Sequence, residues 1–138
     1  MIGRKIFAFI LSIMVIVSVA SISVSANNHF DTWFSFPFTN GESETVLRQK
    51  EDDSSSYMKP TYISCSYYNV YVQGADSGQV DAVRYDCANG HYYSIYYAYT
   101  EYFLRNYVYE WGHSYAGIHA TREYPSGIAQ GWWSPDSV

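Results

Sequence analysis

The sequence predicts an all-β fold: a small antiparallel β-sandwich or barrel of about six strands, with one disulfide, after a cleaved signal peptide. Three observations support this prediction. The 138 residues include 16 Tyr, 4 Trp and 7 Phe, and aromatic rings favour strands because they pack against cross-strand neighbours. Several segments alternate between apolar and polar residues, with clusters of turn residues between them. The only two cysteines lie in the part of the chain that we expect to be exported.

The first 26 residues have the layout of a secretory signal peptide. Arg4 and Lys5 give a charged start, residues 6–19 form an uncharged apolar run, and Val24-Ser25-Ala26 ends a stretch of small residues. This order predicts cleavage after Ala26 and a secreted, extracellular product. The alternative is a membrane anchor, but a spanning helix needs about 20 apolar residues and this run is shorter.

Processing divides the chain into a signal peptide at 1–26, a polar amino-terminal lead-in with a short aromatic strand at 27–56, and a β domain at 57–138. All 13 acidic residues but only six of the eight basic residues follow Ala26, so residues 27–138 carry a formal charge of −7. Nucleic acid and anionic lipid both attract positive charge. We therefore expect neither as a partner, and we do not expect an integral membrane protein after cleavage.

Cys65 and Cys87 are the only cysteines. Outside the cytosol, an even number of cysteines in a small domain indicates a disulfide, and two cysteines allow a single intramolecular pairing. A bridge that closes this loop would stabilise the fold by about 3 kcal/mol in the chain-entropy model. The alternatives are a reactive thiol pair or two metal ligands, but the sequence has no Cys-x-x-Cys spacing.

The lead-in contains one aromatic island within a polar stretch. Residues 33–38 alternate aromatic with polar or proline residues, and Pro37 interrupts the pattern. Proline cannot donate a hydrogen bond within a sheet, so we expect this strand at a sheet edge or as a docked arm. The acidic and serine-rich run at 51–56 is typical of a solvated loop.

The β domain shows alternating segments that predict strands, together with one ambiguous segment. Residues 101–111 fit either a strand or a helical stripe. The Asn-Gly dipeptide at Asn89-Gly90 predicts a tight turn. We expect most of the aromatic rings to be structural. The other predicted strands are 61–73, 80–86, 92–100, 114–124 and 127–133.

The strand around residue 115 supplies the candidate binding surface. A period of two places the small apolar residues Ala116, Ile118 and Ala120 on a core face, while the opposite face carries aromatic and imidazole side chains. We hypothesise that this second face binds a ligand or partner, unless a neighbouring element such as the 33–38 arm covers it. The residues that would form the binding stripe are Trp111, His113, Tyr115 and His119.

No motif of the sequence indicates catalysis, a metal or a cofactor. His113 and His119 would lie about 20 Å apart along a strand, which is too far to share one metal ion. The sequence has no Gly-x-Ser-x-Gly elbow, no phosphate-binding glycine loop and no His-Glu-x-x-His motif. We therefore predict no catalytic residue, no cofactor and no enzymatic activity.

Three segments carry a resemblance to known proteins. Residues 48–57, 106–112 and 131–137 are similar to segments of small exported Gram-positive proteins of uncharacterised function. The overall build, a signal peptide followed by a small tyrosine-rich β domain, also resembles the lactococcin-type bacteriocins. That resemblance implies a β-sandwich that acts at the cell envelope.

These observations lead to a secreted binding or effector protein, bacteriocin-like if the resemblance holds, that engages a component of a cell surface through an aromatic face. Two alternatives remain open. One is a cell-envelope hydrolase that uses a pair of carboxylates, which glycoside hydrolysis requires about 5 to 10 Å apart. The other is a structural or matrix protein whose strands associate edge to edge.

Overall fold

The computed structural model describes residues 27–138, and the predicted signal peptide lies outside the described residues. Residues 27–138 contain no helix, so none of them forms a helix that could span a membrane. They form ten strands, where about six were predicted. The strands are β1 (Thr32–Pro37), β2 (Glu42–Glu44), β3 (Arg48–Gln49), β4 (Ser56–Ile63), β5 (Tyr68–Ala75), β6 (Tyr85–Asp86), β7 (Tyr93–Ile95), β8 (Tyr102–Leu104), β9 (Tyr115–Thr121) and β10 (Ile128–Ser134).

The strands form two antiparallel sheets that pack face to face. The four-stranded sheet has the order β1-β10-β4-β8, and the six-stranded sheet has the order β2-β9-β5-β6, with β3 on β9 and β7 on β5. The sandwich prediction is therefore confirmed, and the two sheets do not close into a barrel.

One hydrophobic core lies between the sheets. The first sheet contributes Phe34, Phe36 and Trp133, and the second contributes Tyr68 and Ile118, all of them buried. The core face predicted for β9 is correct, because Ala116, Ile118 and Ala120 are fully buried. In β5 the alternating residues Tyr68, Val70 and Val72 are buried in the same core.

The lead-in is an integral part of both sheets. It supplies β1, β2 and β3, and β1 is an edge strand of the four-stranded sheet, as Pro37 predicts. The acidic run at 51–56 is not simply a solvated loop. It surrounds Lys50, whose ammonium is buried and pairs with the buried Asp136 carboxylate at 2.5 Å.

Three predicted strands are shorter than their alternation suggests. Of residues 80–86 only Tyr85–Asp86 is a strand, of residues 92–100 only Tyr93–Ile95, and of the ambiguous segment 101–111 only Tyr102–Leu104. Asn89 and Gly90 have φ of 47° and 84°, which confirms the tight turn. This turn joins β6 to β7, and both strands pair with β5 rather than with each other.

The predicted disulfide between Cys65 and Cys87 is wrong, because both cysteines are free thiols. Cys87 donates its backbone N–H to the Val72 carbonyl near the end of β5, whereas Cys65 lies before the start of β5 and packs beside Gly127. Val72, the partner of Cys87, is four residues along β5 from its first residue, Tyr68, and four strand residues span about 13 Å. A disulfide requires Cα atoms within about 7 Å.

The free thiols give a testable prediction. Burial raises the pKa of both thiols, so both should react slowly with iodoacetamide in the folded protein. We expect both to alkylate after unfolding without a reductant, and we expect dithiothreitol to leave Tm unchanged. Mass spectrometry of the alkylated protein checks this. A purified chain that alkylates only after reduction would contradict the structure.

Candidate functional site

Many aromatic side chains are exposed at the surface. Of the 25 aromatic residues in the described part of the chain, 13 are exposed, so about half of the rings are not part of the core. The expectation that most rings are structural therefore does not hold. A small protein rarely leaves this much aromatic surface in water unless the surface has a function.

One group of exposed rings lies on a single sheet face. Trp33 of β1 pairs with Trp132 of β10, and their rings meet edge to face with centroids 5.2 Å apart. On the same face but further across the sheet, the half-buried Tyr57 of β4 pairs with the exposed Phe103 of β8, with ring centroids 5.7 Å apart. With Tyr62 of β4, these residues form the outer surface of the four-stranded sheet, which we call the aromatic face.

Strand alternation explains why these rings point outward. In β1 the buried Phe34 and Phe36 alternate with the exposed Trp33 and Ser35. In β10 the exposed Trp132 is next to the fully buried Trp133. Each strand therefore places one set of rings in the core and presents the other set to solvent, since successive side chains point to opposite faces.

Polar groups lie between the rings of the aromatic face. Lys59 of β4 pairs with Trp132, and its neighbours on the same sheet include Ser35 and Gln130, whose side chains hydrogen-bond to each other at 3.3 Å. The face thus combines flat apolar rings with hydrogen-bond donors and acceptors. This composition is typical of surfaces that bind through stacking and polar contacts together.

The aromatic face ends in a cleft of about 380 Å³, which we call the end cleft. Tyr57 and Phe103 belong to both the aromatic face and the cleft lining. The carboxylates of Asp31 and Glu101 also line the cleft, and the Tyr57 hydroxyl donates a hydrogen bond to Glu101 Oε1 at 3.0 Å.

A buried ion pair forms one wall of the end cleft. Asp136 lines the cleft and accepts hydrogen bonds from Lys50 Nζ at 2.5 Å, the Asn28 backbone N–H at 2.8 Å and the Glu51 backbone N–H at 3.0 Å. These contacts bring residues from the start, the middle and the end of residues 27–138 together. The pair therefore holds the cleft in place.

The four residues of the predicted binding stripe do not form one surface. Trp111 lies in a turn before β9 and stacks on Tyr107, with ring centroids 5.6 Å apart. Tyr115 is covered by the loop after β5, since a Cβ added to Gly78 would lie 2.8 Å from its ring. A neighbouring element therefore covers this ring, as the alternative to a binding stripe allowed, but the element is this loop and not the 33–38 arm given as an example.

The two histidines of the stripe have separate environments. His113 Nδ1 lies 2.7 Å from Asp76 Oδ1, and its ring stacks on Tyr85 at 4.9 Å. His119 packs against Tyr71 at 5.1 Å and has the carboxylates of Glu42 and Glu44 at 3.9 and 3.6 Å. Within residues 27–138 no group of three or more His, Cys, Asp or Glu side chains is arranged to hold a metal ion.

Comparison with known proteins gives one match. A family model described as a protein of unknown function, DUF2712, matches residues 22–137. The chain belongs to the DUF2712 family. Neither the curated proteins nor the solved structures contain a match to it. The resemblance to proteins of uncharacterised function agrees with membership of DUF2712, and the bacteriocin resemblance stays a prediction.

The aromatic face of this DUF2712 protein is not among the features predicted from the sequence, although the sequence contains a signal for it. Residues 33–36 and 132–133 each place an exposed ring next to a buried one. The alternation of a single strand shows that one set of rings points outward. It does not show that β1 and β10 are neighbours, so the two outward sets could not be assigned to one surface.

Proposed function

We propose that this chain is a secreted binding protein that recognises a polysaccharide of a cell envelope through the aromatic face. The observation that carries the proposal is the alignment of exposed rings from all four adjacent strands on one outward sheet surface. The proposal also uses the predicted export of the chain. It keeps the expected mode of action, recognition through aromatic residues, and assigns it to a different surface from the predicted stripe.

A polysaccharide without negative charge suits this surface better than other partners. Sugar rings present apolar C–H faces that pack on Trp and Tyr rings, and hydroxyl groups that bond to side chains such as Ser35, Lys59 and Gln130. The surface is a sheet face rather than a deep pocket, which suits an extended polymer. The charge of −7 on residues 27–138 disfavours anionic polymers.

Truncating the two tryptophans tests the proposal. We expect the double variant Trp33→Ala/Trp132→Ala to bind oligosaccharides of N-acetylglucosamine, a common sugar of envelope polymers, more than tenfold more weakly than the wild type. Tryptophans at the centre of an interface contribute about 2 kcal/mol or more each on truncation, and each 1.4 kcal/mol is a factor of about ten. Isothermal titration calorimetry measures the difference.

Trp111→Ala is the matched control, because its side chain is 49% exposed against 48% for Trp33 and 43% for Trp132. We expect this control to bind as the wild type does, and circular dichroism establishes that all three proteins are folded. Equal binding by the double variant and the wild type would contradict the proposal. A loss confined to Trp111→Ala would favour the predicted stripe instead.

A further inference from the structure

We propose that the end cleft binds a protonated primary amine carried by the polysaccharide that lies on the aromatic face. This inference rests on the proposed function, because the polymer reaches the cleft by way of Tyr57 and Phe103. It deepens that function by naming the substrate class as a polymer that contains free amino sugars.

The shape of the cleft suits an ammonium group. Its volume is about 380 Å³, and the rings of Tyr57 and Phe103 are tilted by 58° to each other. Cations are attracted to the faces of aromatic rings within about 6 Å of the centroid. Two rings at an angle therefore offer an apolar, electron-rich corner at the point where the aromatic face ends.

The charges of the cleft favour the same ligand. The Asp31 carboxylate has no ion pair among the described residues, and Glu101 has only the Tyr57 hydroxyl as its side-chain partner. Burial above all, followed by the hydrogen bond to Glu101 and the charges of Glu101 and Asp31, raises the pKa of Tyr57 to about 12. The carboxylates of Asp31 and Glu101 themselves make the cleft locally negative. An anionic ligand is therefore disfavoured here.

Among the described residues, Lys50 and Arg48 form no ion pair with Asp31 or Glu101. Lys50 is buried and bonded to Asp136 and to the Ser54 carbonyl. Arg48 bonds to Asn28 and Thr32 and lies over the Trp133 ring at 5.4 Å. Arg48 feels the Asp31 charge through space but does not contact that carboxylate. A ligand ammonium could therefore still contact the oxygens of Asp31 and Glu101 directly.

A metal ion is a poorer fit than an amine. The described residues contain no group of three or more side chains arranged as metal ligands. Calcium takes six to eight oxygen ligands, and magnesium keeps a shell of water that aromatic walls do not replace. A primary ammonium needs only a few acceptors and gains from the rings as well.

The experiment compares two ligands that differ only in the amine. The processed chain, residues 27–138, is titrated with oligosaccharides of glucosamine and of N-acetylglucosamine of equal length. The titrations are made at low salt and at a pH below the pKa of the glucosamine amine, so that this amine is protonated. We expect the glucosamine oligomer to bind about tenfold more tightly, and added salt to reduce this ratio.

Two charge-matched variants locate the effect. Asp31→Asn/Glu101→Gln should reduce the ratio of the two affinities to about one. Glu42→Gln/Glu44→Gln removes the same two charges from the outer face of the six-stranded sheet and should leave the ratio as in the wild type. A similar loss in both variants would show that net charge, rather than the cleft, causes the preference, and would overturn the inference.

The outcomes separate the two proposals. Equal binding of both sugars by the wild type would overturn the amine inference and leave the proposed function standing. Absence of binding to either sugar would overturn the proposed function. A lysine oligomer of equal length that competes as well as the glucosamine oligomer would overturn the assignment to a sugar amine.

Discussion

Replacing Asp136 with asparagine is expected to destabilise the protein by about 3 to 5 kcal/mol. The carboxylate is fully buried and accepts from the Lys50 ammonium and from two backbone N–H groups. Asparagine keeps the shape but removes the negative charge, so the Lys50 ammonium stays buried without its counterion. Breaking a buried ion pair by removing one partner has costs of this size. Urea denaturation followed by fluorescence measures the change in the free energy of unfolding.

Two variants make the Asp136 result decisive. Asp53→Asn removes the same charge from an exposed neighbour in the acidic run and should change stability by less than about 0.5 kcal/mol. The double variant Lys50→Met/Asp136→Leu removes both charges and should be more stable than Asp136→Asn. If the free energy of unfolding of Asp136→Asn lies within about 1 kcal/mol of the wild-type value, the buried pair does not hold the two termini of residues 27–138 together.

The second large effect is expected for Gly131→Ala. A Cβ at this position would lie 2.3 Å from the Lys59 carbonyl oxygen and 2.6 Å from Pro60 Cα, and both are backbone atoms. Gly131 sits where the pairing of β10 with β4 shifts register, so the two strands approach closely there. Alanine would push β4 away from β10. We expect a loss of about 3 kcal/mol or more, since overpacking that moves backbone exceeds the usual 1–3 kcal/mol.

Gly90→Ala provides the comparison for Gly131→Ala. Gly90 has nothing within 4 Å of an added Cβ, and its φ of 84° is the only source of strain there. We expect a loss of about 1 kcal/mol. Thermal unfolding of both variants in parallel measures the difference. Equal melting temperatures would mean that the clash at Gly131 costs no more than the backbone strain at Gly90, and would contradict the expected separation of β4 from β10.

The sequence predicts the parts of the fold that depend on one strand at a time. The buried faces of β5 and β9 follow from the alternation of Val70, Val72 and Ile118 with polar residues, and Pro37 correctly indicates an edge strand. The turn at Asn89-Gly90 follows from the positive φ that a tight turn requires. In each case the physical cause is local, so a single segment of sequence contains it.

The features that the sequence does not predict depend on contacts between distant segments. Residues 80–86 alternate like a strand, but most of them form the loop that crosses β9 and leaves Val80 and Val83 exposed. An even number of cysteines and the predicted export both favour a disulfide. Strand pairing nevertheless places Cys65 and Cys87 toward opposite ends of β5. The number of cysteines does not determine their separation in the fold.

The candidate site shows the same limit. The sequence correctly predicts a strand at β9 and its buried face, whereas Trp111 and His113 of the predicted stripe lie before this strand. The prediction could not include the loop that covers Tyr115, because Gly78 comes from a segment 37 positions earlier in the chain. The aromatic face requires β1 and β10 as neighbours, and that pairing joins the two ends of residues 27–138.

Hydroxyl-radical footprinting on the processed chain tests the polysaccharide-binding surface most directly. Trp33, Trp111 and Trp132 are similarly exposed in the free protein, so mass spectrometry should find them oxidised at similar rates. With saturating N-acetylglucosamine oligomer, we expect oxidation of Trp33 and Trp132 to fall and that of Trp111 to stay unchanged. Protection of Trp111 alone, with Trp33 and Trp132 oxidised as before, would contradict recognition by the outer surface of the four-stranded sheet.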